Sequence, residues 1–219
     1  TVPMSASAVI VEDRLMGRLD DFLITPVARR QLALGYSLSA WIAGVAVTAL
    51  IWLLGVIVLI VGGYDLPDWS AAGRSALALI ISCLVFSLMV SWLTLGLRSQ
   101  SAFAACSTIV GTLSGFASGF YVPLFVLPRP VADLMGLLPF AQSASLTLDG
   151  WSLQSFSAIE ATMPAQWVAN AHISQQFSLE WSVGGKNLPI GWLWVTLTVW
   201  AALFAVFGWR QIRRVVKRR

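Results

Sequence analysis

Long apolar runs alternate with short polar connectors along most of this chain. Four runs reach or exceed the roughly 20 residues that a helix needs to cross a bilayer, and they cover about 36–63, 75–97, 102–121 and 189–209. Their apolar interiors contain no Asp, Glu, Lys, Arg or His. The pattern predicts an all-α integral membrane protein, a polytopic bundle of transmembrane helices.

The apolar stretch after the third run is interrupted by prolines. Pro123, Pro128, Pro130 and Pro139 all fall within it, whereas a straight membrane helix tolerates one such break. We therefore expect residues 122–147 to form two short helices that enter the outer leaflet and return, as a re-entrant hairpin. Irregular backbone at that depth needs protein or water around it, so the hairpin is expected beside a cavity or pathway.

The segment Glu12–Arg30, ahead of the first run, has the periodicity of an amphipathic helix. Apolar residues between Leu15 and Leu23 recur at helical spacing, most of the charged residues fall on the opposite face, and Pro26 ends the helix. This predicts a short helix at the membrane surface. Two interpretations remain open, a solvated connector between two spans and a docking element for a soluble partner.

The remaining segments complete the outline. Residues 1–11 are apolar, too short to cross a bilayer and without the basic start of a signal peptide. We expect them to be the end of an earlier span, in a chain that is part of a longer protein. Residues 149–188 are polar and rich in Trp, and we expect them to cover the outer face.

The distribution of basic residues predicts the orientation. Of the 14 Lys and Arg residues, eleven fall in the Glu12–Arg30 loop, the connector at Arg98 and the tail after Trp209. Since cytoplasmic loops of membrane proteins are enriched in Lys and Arg, these segments and the C-terminus are assigned to the cytoplasm. The net charge of +4 is then a signal of topology, and we expect no nucleic-acid partner.

Composition narrows the function class. Hydrophobic residues make up 58% of the chain and charged residues 11%, against about 25% charged in soluble domains. The sequence has no phosphate-binding loop, no Cys/His metal cluster and no nucleophile motif with a base. Uncharged spans also argue against ion-coupled transport. We expect a non-enzymatic chain without a cofactor, whose transport, if any, is powered from outside the spans.

The third run carries a stripe of small residues. Ser107, Gly111, Gly115 and Gly119 lie four apart, and such stripes let helix backbones approach closely in lipid. We expect a helix-packing interface there, within the subunit or with a partner, although glycine is common in membrane helices in any case.

The order of these features resembles the membrane subunit of type-2 ABC exporters, the ABC-2 type permeases. The resemblance covers most of residues 5–140 and 190–212. Its motifs are the acidic loop with Glu12, Asp13, Arg14, Gly17 and Asp20 followed by Pro26, the opening Gly35-Tyr36 of the next span, and the outer prolines Pro123, Pro128 and Pro139 with their apolar neighbours.

The resemblance implies a single transmembrane domain over 1–219 that lacks its first one to two spans. It implies that the helix near Glu12–Pro26 is a coupling helix seated on a cytoplasmic ABC ATPase subunit, which binds the ATP. It further implies a second permease subunit, identical or different, a place in the cell membrane, and outward movement of a drug, lipid or glycan. A membrane scaffold without an ATPase is the alternative, and a membrane hydrolase or transferase would need a catalytic set that we do not find.

Overall fold

A computed structural model describes residues 29–63, 66, 68–97, 99–122, 124–149, 181–183 and 186–217. Their six helices are α1 (Arg29–Val61), α2 (Trp69–Gly96), α3 (Gln100–Ala117), α4 (Arg129–Gly136), α5 (Pro139–Asp149) and α6 (Ile190–Lys217), with a 3-10 turn at Leu124–Val126. Strands β1 (Trp181–Val183) and β2 (Lys186–Leu188) pair antiparallel. The predicted helical class is confirmed for these residues apart from this short hairpin, which lies in the polar outer segment.

Three of the described helices are long and apolar enough to cross a membrane. The candidate spans are Leu34–Val61, Trp69–Thr94 and Ile190–Gln211, and they make the chain a membrane protein. Helix α3 is not among them, because many of its 18 residues are small polar residues or glycines, which lower its mean hydropathy. The crossing expected over 102–121 therefore stays a prediction.

Two of the helices end at a glycine in the left-handed region of backbone space. After α1, Gly63 has φ +69°, and after α3, Gly119 has φ +76°. Glycine is the usual residue at this position because it carries no Cβ to clash. The end of α3 differs from the expectation, since Gly119 lies in the turn beyond the helix and not on its face.

The surface of the described helices is apolar and their interior is partly polar. Leu50, Ile51 and Val58 of α1 are more than half exposed, whereas Ser75, Ser87 and Thr94 of α2 are buried. In water this arrangement would leave a large apolar surface uncovered. In lipid it is favourable, because the apolar side chains face hydrocarbon and the polar ones find partners inside the protein.

The chain divides into two compact units. The first contains Thr1–Leu50, Cys83–Gly111 and Thr198–Arg219, and the second contains Ile51–Ser82 and Thr112–Leu197. The long helices α1, α2, α3 and α6 each contribute a segment to both.

In the first unit, α1 and α2 run antiparallel and are joined by polar contacts. The Ser37 hydroxyl donates to Ser91 Oγ at 3.0 Å, and Thr48 Oγ1 lies 3.4 Å from Cys83 Sγ. Between these contacts, Ala40 is 1% exposed and Gly44 is buried. These small side chains allow the backbones to approach, as is typical of helix packing in membranes.

Aromatic packing joins α2 and α6 in the same unit. The Trp92 ring lies 6.2 Å from Phe204 and 5.9 Å from Phe207, and Trp200 stacks on Phe204 at 5.4 Å between centroids. Such pairs contribute about 0.5–1.5 kcal/mol each beyond their buried area. They fix this part of α6 against the last turns of α2.

In the second unit, α1 and α2 are joined by an indole. Trp52 Nε1 donates to Ser75 Oγ at 3.2 Å, and the Ser75 hydroxyl donates to the Ala72 carbonyl at 2.9 Å. Ala71, Ala78 and Ser82 are buried on the same side of α2, since residues three, four and seven apart share a helix face. Small side chains thus line the buried face of this helix.

Candidate functional site

Helix α5 of the second unit is polar yet has no exposed residue. Its sequence Pro139–Asp149 contains Gln, three hydroxyl residues and an Asp, and every position is buried or half-buried. By contrast α4, which precedes it, exposes Arg129, Val131 and Leu134. In a membrane protein, a polar helix inside the bundle marks the first place to look for a ligand or transport pathway.

The two helices form a sharp corner. Helices α4 and α5 are bent by 79° at a break of at most four residues. Pro128 is the N-cap residue of α4, and Pro139 is the first residue of α5, where a proline costs no hydrogen bond. The predicted break at Pro128 and Pro139 therefore coincides with helix starts, while the passage of this pair through the outer leaflet stays a prediction.

Gln142 fixes the corner from inside α5. Its Nε2 donates to the Leu137 carbonyl at 3.1 Å and lies 3.4 Å from the Gly136 carbonyl. The side chain is 1% exposed. Gly136 ends α4 and Leu137 is its C-cap residue, and main-chain acceptors at the end of a helix lack a partner within that helix. One side-chain amide therefore contacts both acceptors at the corner.

The hydroxyls next to Gln142 are satisfied within α5. Ser143 Oγ donates to the Pro139 carbonyl at 2.7 Å, and Thr147 Oγ1 donates to the Ser143 carbonyl at 2.8 Å. Bonds of this kind return the hydroxyl to the preceding turn. Neither group is therefore available as a donor for other side chains.

An ion pair joins the end of α5 to α2. Arg74 Nε lies 3.8 Å from Asp149 Oδ2, with the Arg74 side chain 47% exposed and the Asp149 side chain 7% exposed. A carboxylate at a helix C-terminus faces the negative end of the helix dipole. The guanidinium offsets this repulsion, although the distance exceeds that of a hydrogen bond.

Two acceptor oxygens on α5 have no hydrogen-bond partner among the residues that the structure describes. They are Oε1 of Gln142 and Oδ1 of Asp149. A buried polar atom without a partner costs about 1–3 kcal/mol, and more when it is charged. In the same unit the hydroxyl of Ser82 on α2 is also buried and unpaired. Unpaired buried groups in a native structure call for a functional explanation or for bound water.

The residues predicted from the sequence fall in different places. Glu12, Asp13, Arg14, Gly17, Asp20 and Pro26, and with them the expected coupling helix, lie outside the described residues, as does Pro123. Ser107, Gly111 and Gly115 lie on α3, and Gly119 lies beyond its end. Their role in packing between helices stays a prediction.

Gly115 has a local contact that the sequence analysis did not anticipate. The Tyr121 ring lies against it, so that a Cβ at this position would overlap the ring. The same ring meets Phe116 edge-on at 5.5 Å and Phe120 at 6.0 Å between centroids. The chain folds back after Gly119, and Gly115 accommodates the returning tyrosine.

Arg74, Gln142 and Asp149 are the residues that sequence reasoning missed. The second apolar run was placed from 75, but α2 begins at Trp69 and carries Arg74 in its second turn. The polar positions Gln142, Ser145 and Asp149 are spaced by three and four, which is a helical stripe. That spacing could have indicated a polar face on α5, whereas nothing in the sequence pairs Asp149 with Arg74.

Metal chemistry finds no support in the part of the chain that the structure describes. Within it, no three His, Cys, Asp or Glu residues are grouped so as to hold a metal ion. Cys83 and Cys106 are free thiols.

Comparison with known proteins returned no match to a protein-family model, a curated protein or a solved structure. The membrane class therefore rests on the three apolar helices, and the likeness to ABC-2 type permeases rests on the sequence motifs described above.

Proposed function

We propose that this chain is the membrane-spanning permease subunit of an ATP-binding cassette exporter. The observation that carries the proposal is the bent pair α4–α5, a 79° corner whose second arm is polar and buried. A scaffold has no need for a buried polar helix at such a corner. A transport pathway does, because a substrate crossing the bilayer needs polar partners that are shielded from lipid.

In this proposal the chain performs no covalent chemistry. A separate ATPase subunit binds ATP, and its closure moves the helix near Glu12–Pro26, which the motif resemblance assigns to coupling. The motion passes to the spans of two permease subunits, which open alternately to either side. The substrate class is a lipophilic or amphiphilic molecule, such as a drug, a lipid or a glycan carried on lipid.

The experiment that tests the proposal is co-purification. The full gene is expressed with a candidate ATPase, and ATPase activity is measured on the tagged membrane subunit after mild solubilisation. A matched variant carries Glu12–Asp21 in scrambled order, with composition and charge unchanged. We expect activity with the native order and none with the scrambled order. Absence of ATPase from the native subunit would favour a membrane scaffold instead.

A further inference from the structure

One face of α6 is exposed and changes from apolar to basic along the helix. Val199, Leu203 and Val206 are 51%, 40% and 46% exposed. They are spaced by four and three positions, so they share one face of the helix. Arg210, which is also exposed, follows Val206 by four positions and continues that face. A column of three apolar side chains therefore leads directly to a cation.

The helix continues beyond the span, and its register keeps further basic residues on this face. The candidate span ends at Gln211, whereas α6 ends at Lys217. Arg213, Arg214 and Lys217 lie three, four and seven positions after Arg210, which is the spacing of a single helix face. We call these four basic residues the basic stripe.

The basic stripe begins at the depth of lipid head groups. Arg213 and Arg214 are about 3 Å and about 4.5 Å beyond the end of the span along the helix axis. The head-group layer of one leaflet is about 5–8 Å thick. A lipid phosphate and the middle of the basic stripe are therefore at the same level, with the apolar column directly below them.

Another face of α6 packs against the protein. Phe204 is 8% exposed and its ring lies 6.2 Å from that of Trp92 on α2. Gln211 follows Phe204 by seven positions, and its Nε2 would lie 3.2 Å from a Cβ at Gly96, the last residue of α2. Val206 and Arg210 are about 160° and about 120° around the axis from Phe204. Their face is therefore a different one from the face that meets α2.

The acidic residues on the same side of the membrane are too few to neutralise the basic stripe. The chain has no Asp or Glu after Glu180. On the side to which the tail is assigned, four acidic residues fall between Glu12 and Asp21, and the four Arg residues of Glu12–Arg30 match them in number. The six Lys and Arg residues after Trp209 remain in excess. Such an excess favours an anionic partner.

We propose that this face of α6 binds an anionic phospholipid, with the head group on the basic stripe and an acyl chain along Val199, Leu203 and Val206. A soluble polyanion fits less well, because it would leave the apolar column uncovered. Attraction to an anionic leaflet raises affinity by about fivefold for each Lys or Arg near the surface. Lipid binding here requires a membrane protein but not an exporter.

The test measures which lipids lie beside Val206. In a background of Cys83→Ala and Cys106→Ala, Val206→Cys is labelled with bimane, and the full chain is placed in phosphatidylcholine nanodiscs. Phosphatidylglycerol or phosphatidylcholine with a nitroxide on the acyl chain is added in steps, and the nitroxide quenches only a nearby bimane. We expect half-maximal quenching at a mole fraction at least about fivefold lower for phosphatidylglycerol. Equal mole fractions for the two lipids would overturn the proposal.

Matched double variants locate the site. Arg213→Gln/Arg214→Gln removes two charges from the basic stripe and should bring the two lipids within about twofold of each other. Arg129→Gln/Lys186→Gln removes two charges from α4 and β2 and should keep the native preference. A preference that survives in the first variant would overturn the proposal. If that variant fails to fold, salt decides on the native chain. Raising it from about 0.1 M to about 1 M shortens the Debye length from about 10 Å to about 3 Å and should weaken the preference.

Two further measurements exclude other sources of the effect. Bimane at Val58→Cys on α1, where the valine is 66% exposed, should show no preference for phosphatidylglycerol. An equal preference there would assign the effect to the lipid around any span and overturn the proposal. Soluble glycerol phosphate should not relieve the quenching at Val206→Cys, and relief would assign the basic stripe to a free phosphate instead. No ATPase takes part, so failure of the exporter proposal leaves this result unaffected.

Discussion

The side-chain amide of Gln142 donates to the main-chain carbonyl of Leu137 at 3.1 Å. The donor lies in α5 and the acceptor lies just beyond α4, so the bond closes the corner between the two helices. A turn of 79° usually exposes main-chain carbonyls, which in a membrane protein must find a partner. Here a buried glutamine donates to one of them, and the consequence can be measured.

Gln142→Met should destabilise the corner, because the new side chain fills the same space and donates nothing. We expect a loss of about 1–3 kcal/mol in the free energy of unfolding, measured by denaturant titration in detergent. Thr147→Val is the control, since it removes a hydroxyl of the same helix that bonds only within α5. Equal losses in the two variants would contradict the role of Gln142 at the corner.

Arg74→Met should lower Tm more than the double variant Arg74→Met/Asp149→Asn. The single change leaves the buried Asp149 carboxylate without its cation, and an uncompensated buried charge is costly. The second change removes that charge. Thermal unfolding of the native chain and the two variants gives the order of their Tm values. Arg129→Met serves as control, because Arg129 is an exposed arginine on α4. A double variant less stable than the single one would show that Asp149 does not depend on Arg74.

Gly115→Ala should be tolerated or even stabilising once Tyr121 is removed. In the native chain the new Cβ displaces the Tyr121 ring. In a Tyr121→Ala background this clash is absent, and the only remaining effect is the higher helix propensity of alanine than of glycine. Alanine is favoured over glycine inside a helix by about 0.5–1 kcal/mol. Unfolding measurements on the four chains of this cycle give the coupling. If the alanine destabilises both backgrounds alike, Gly115 serves a helix–helix interface, and the larger Gly115→Leu should then disturb subunit assembly.

Gly17→Pro should uncouple transport while leaving membrane insertion intact. A proline inside a helix costs roughly 3 kcal/mol, and the proposed coupling helix includes this position. The measurements are ATPase-dependent transport and the amount of protein in the membrane fraction. Gly35→Pro is not a suitable control because it would break α1, so Gly17→Ala is used. Normal transport by the proline variant would remove the coupling role from this segment.

Topology can be tested with an impermeant maleimide. The background carries Cys83→Ala and Cys106→Ala, so that only an introduced cysteine reacts. We expect Ser101→Cys to be labelled only after the cells are permeabilised, and Leu66→Cys to be labelled in intact cells. Both positions are exposed, so access depends on the side of the membrane. The reverse pattern would overturn the orientation predicted from the basic residues.

The long helices could be predicted from the sequence, but the start of α2 could not. The apolar runs indicated α1, α2 and α6, but the second run was placed from 75 and α2 begins at Trp69. The Asp68 carbonyl accepts from Ala72 N at 2.9 Å, so the helix starts directly after the turn. Apolar content alone misses such a start, because Arg74 and the small residues before it lower hydropathy without breaking a helix.

Helix packing was harder to predict. The sequence analysis named the small-residue stripe of α3, whose role in packing stays a prediction. It did not name the polar contacts that Ser37 and Thr48 of α1 make with α2, or the buried Ala40 and Gly44 between them. The two stripes have similar spacing. Only the placement of a second helix shows where a stripe packs, and that information lies in residues far away along the chain.

The candidate site shows the same limit. The polar spacing of Gln142, Ser145 and Asp149 can be read from the sequence, and so can the proline-marked corner. The partner Arg74 is 75 positions from Asp149, and its contact depends on how α2 and α5 fold together. The sequence therefore predicts where polar groups are concentrated, but not which of their atoms lack a partner.

The length of the candidate spans bears on the bilayers that this protein can occupy. The span Leu34–Val61 of α1 has 28 residues and Ile190–Gln211 of α6 has 22, which correspond to about 42 Å and about 33 Å. A hydrocarbon core is about 30 Å thick, so α1 fits by tilting and can become more upright as the membrane thickens. The span in α6 is only slightly longer than the hydrocarbon core, so it cannot adapt to a much thicker membrane in this way. Among the three candidate spans, α6 therefore sets the thickest membrane that is tolerated, and sorting between membranes should respond to changes in α6 rather than in α1.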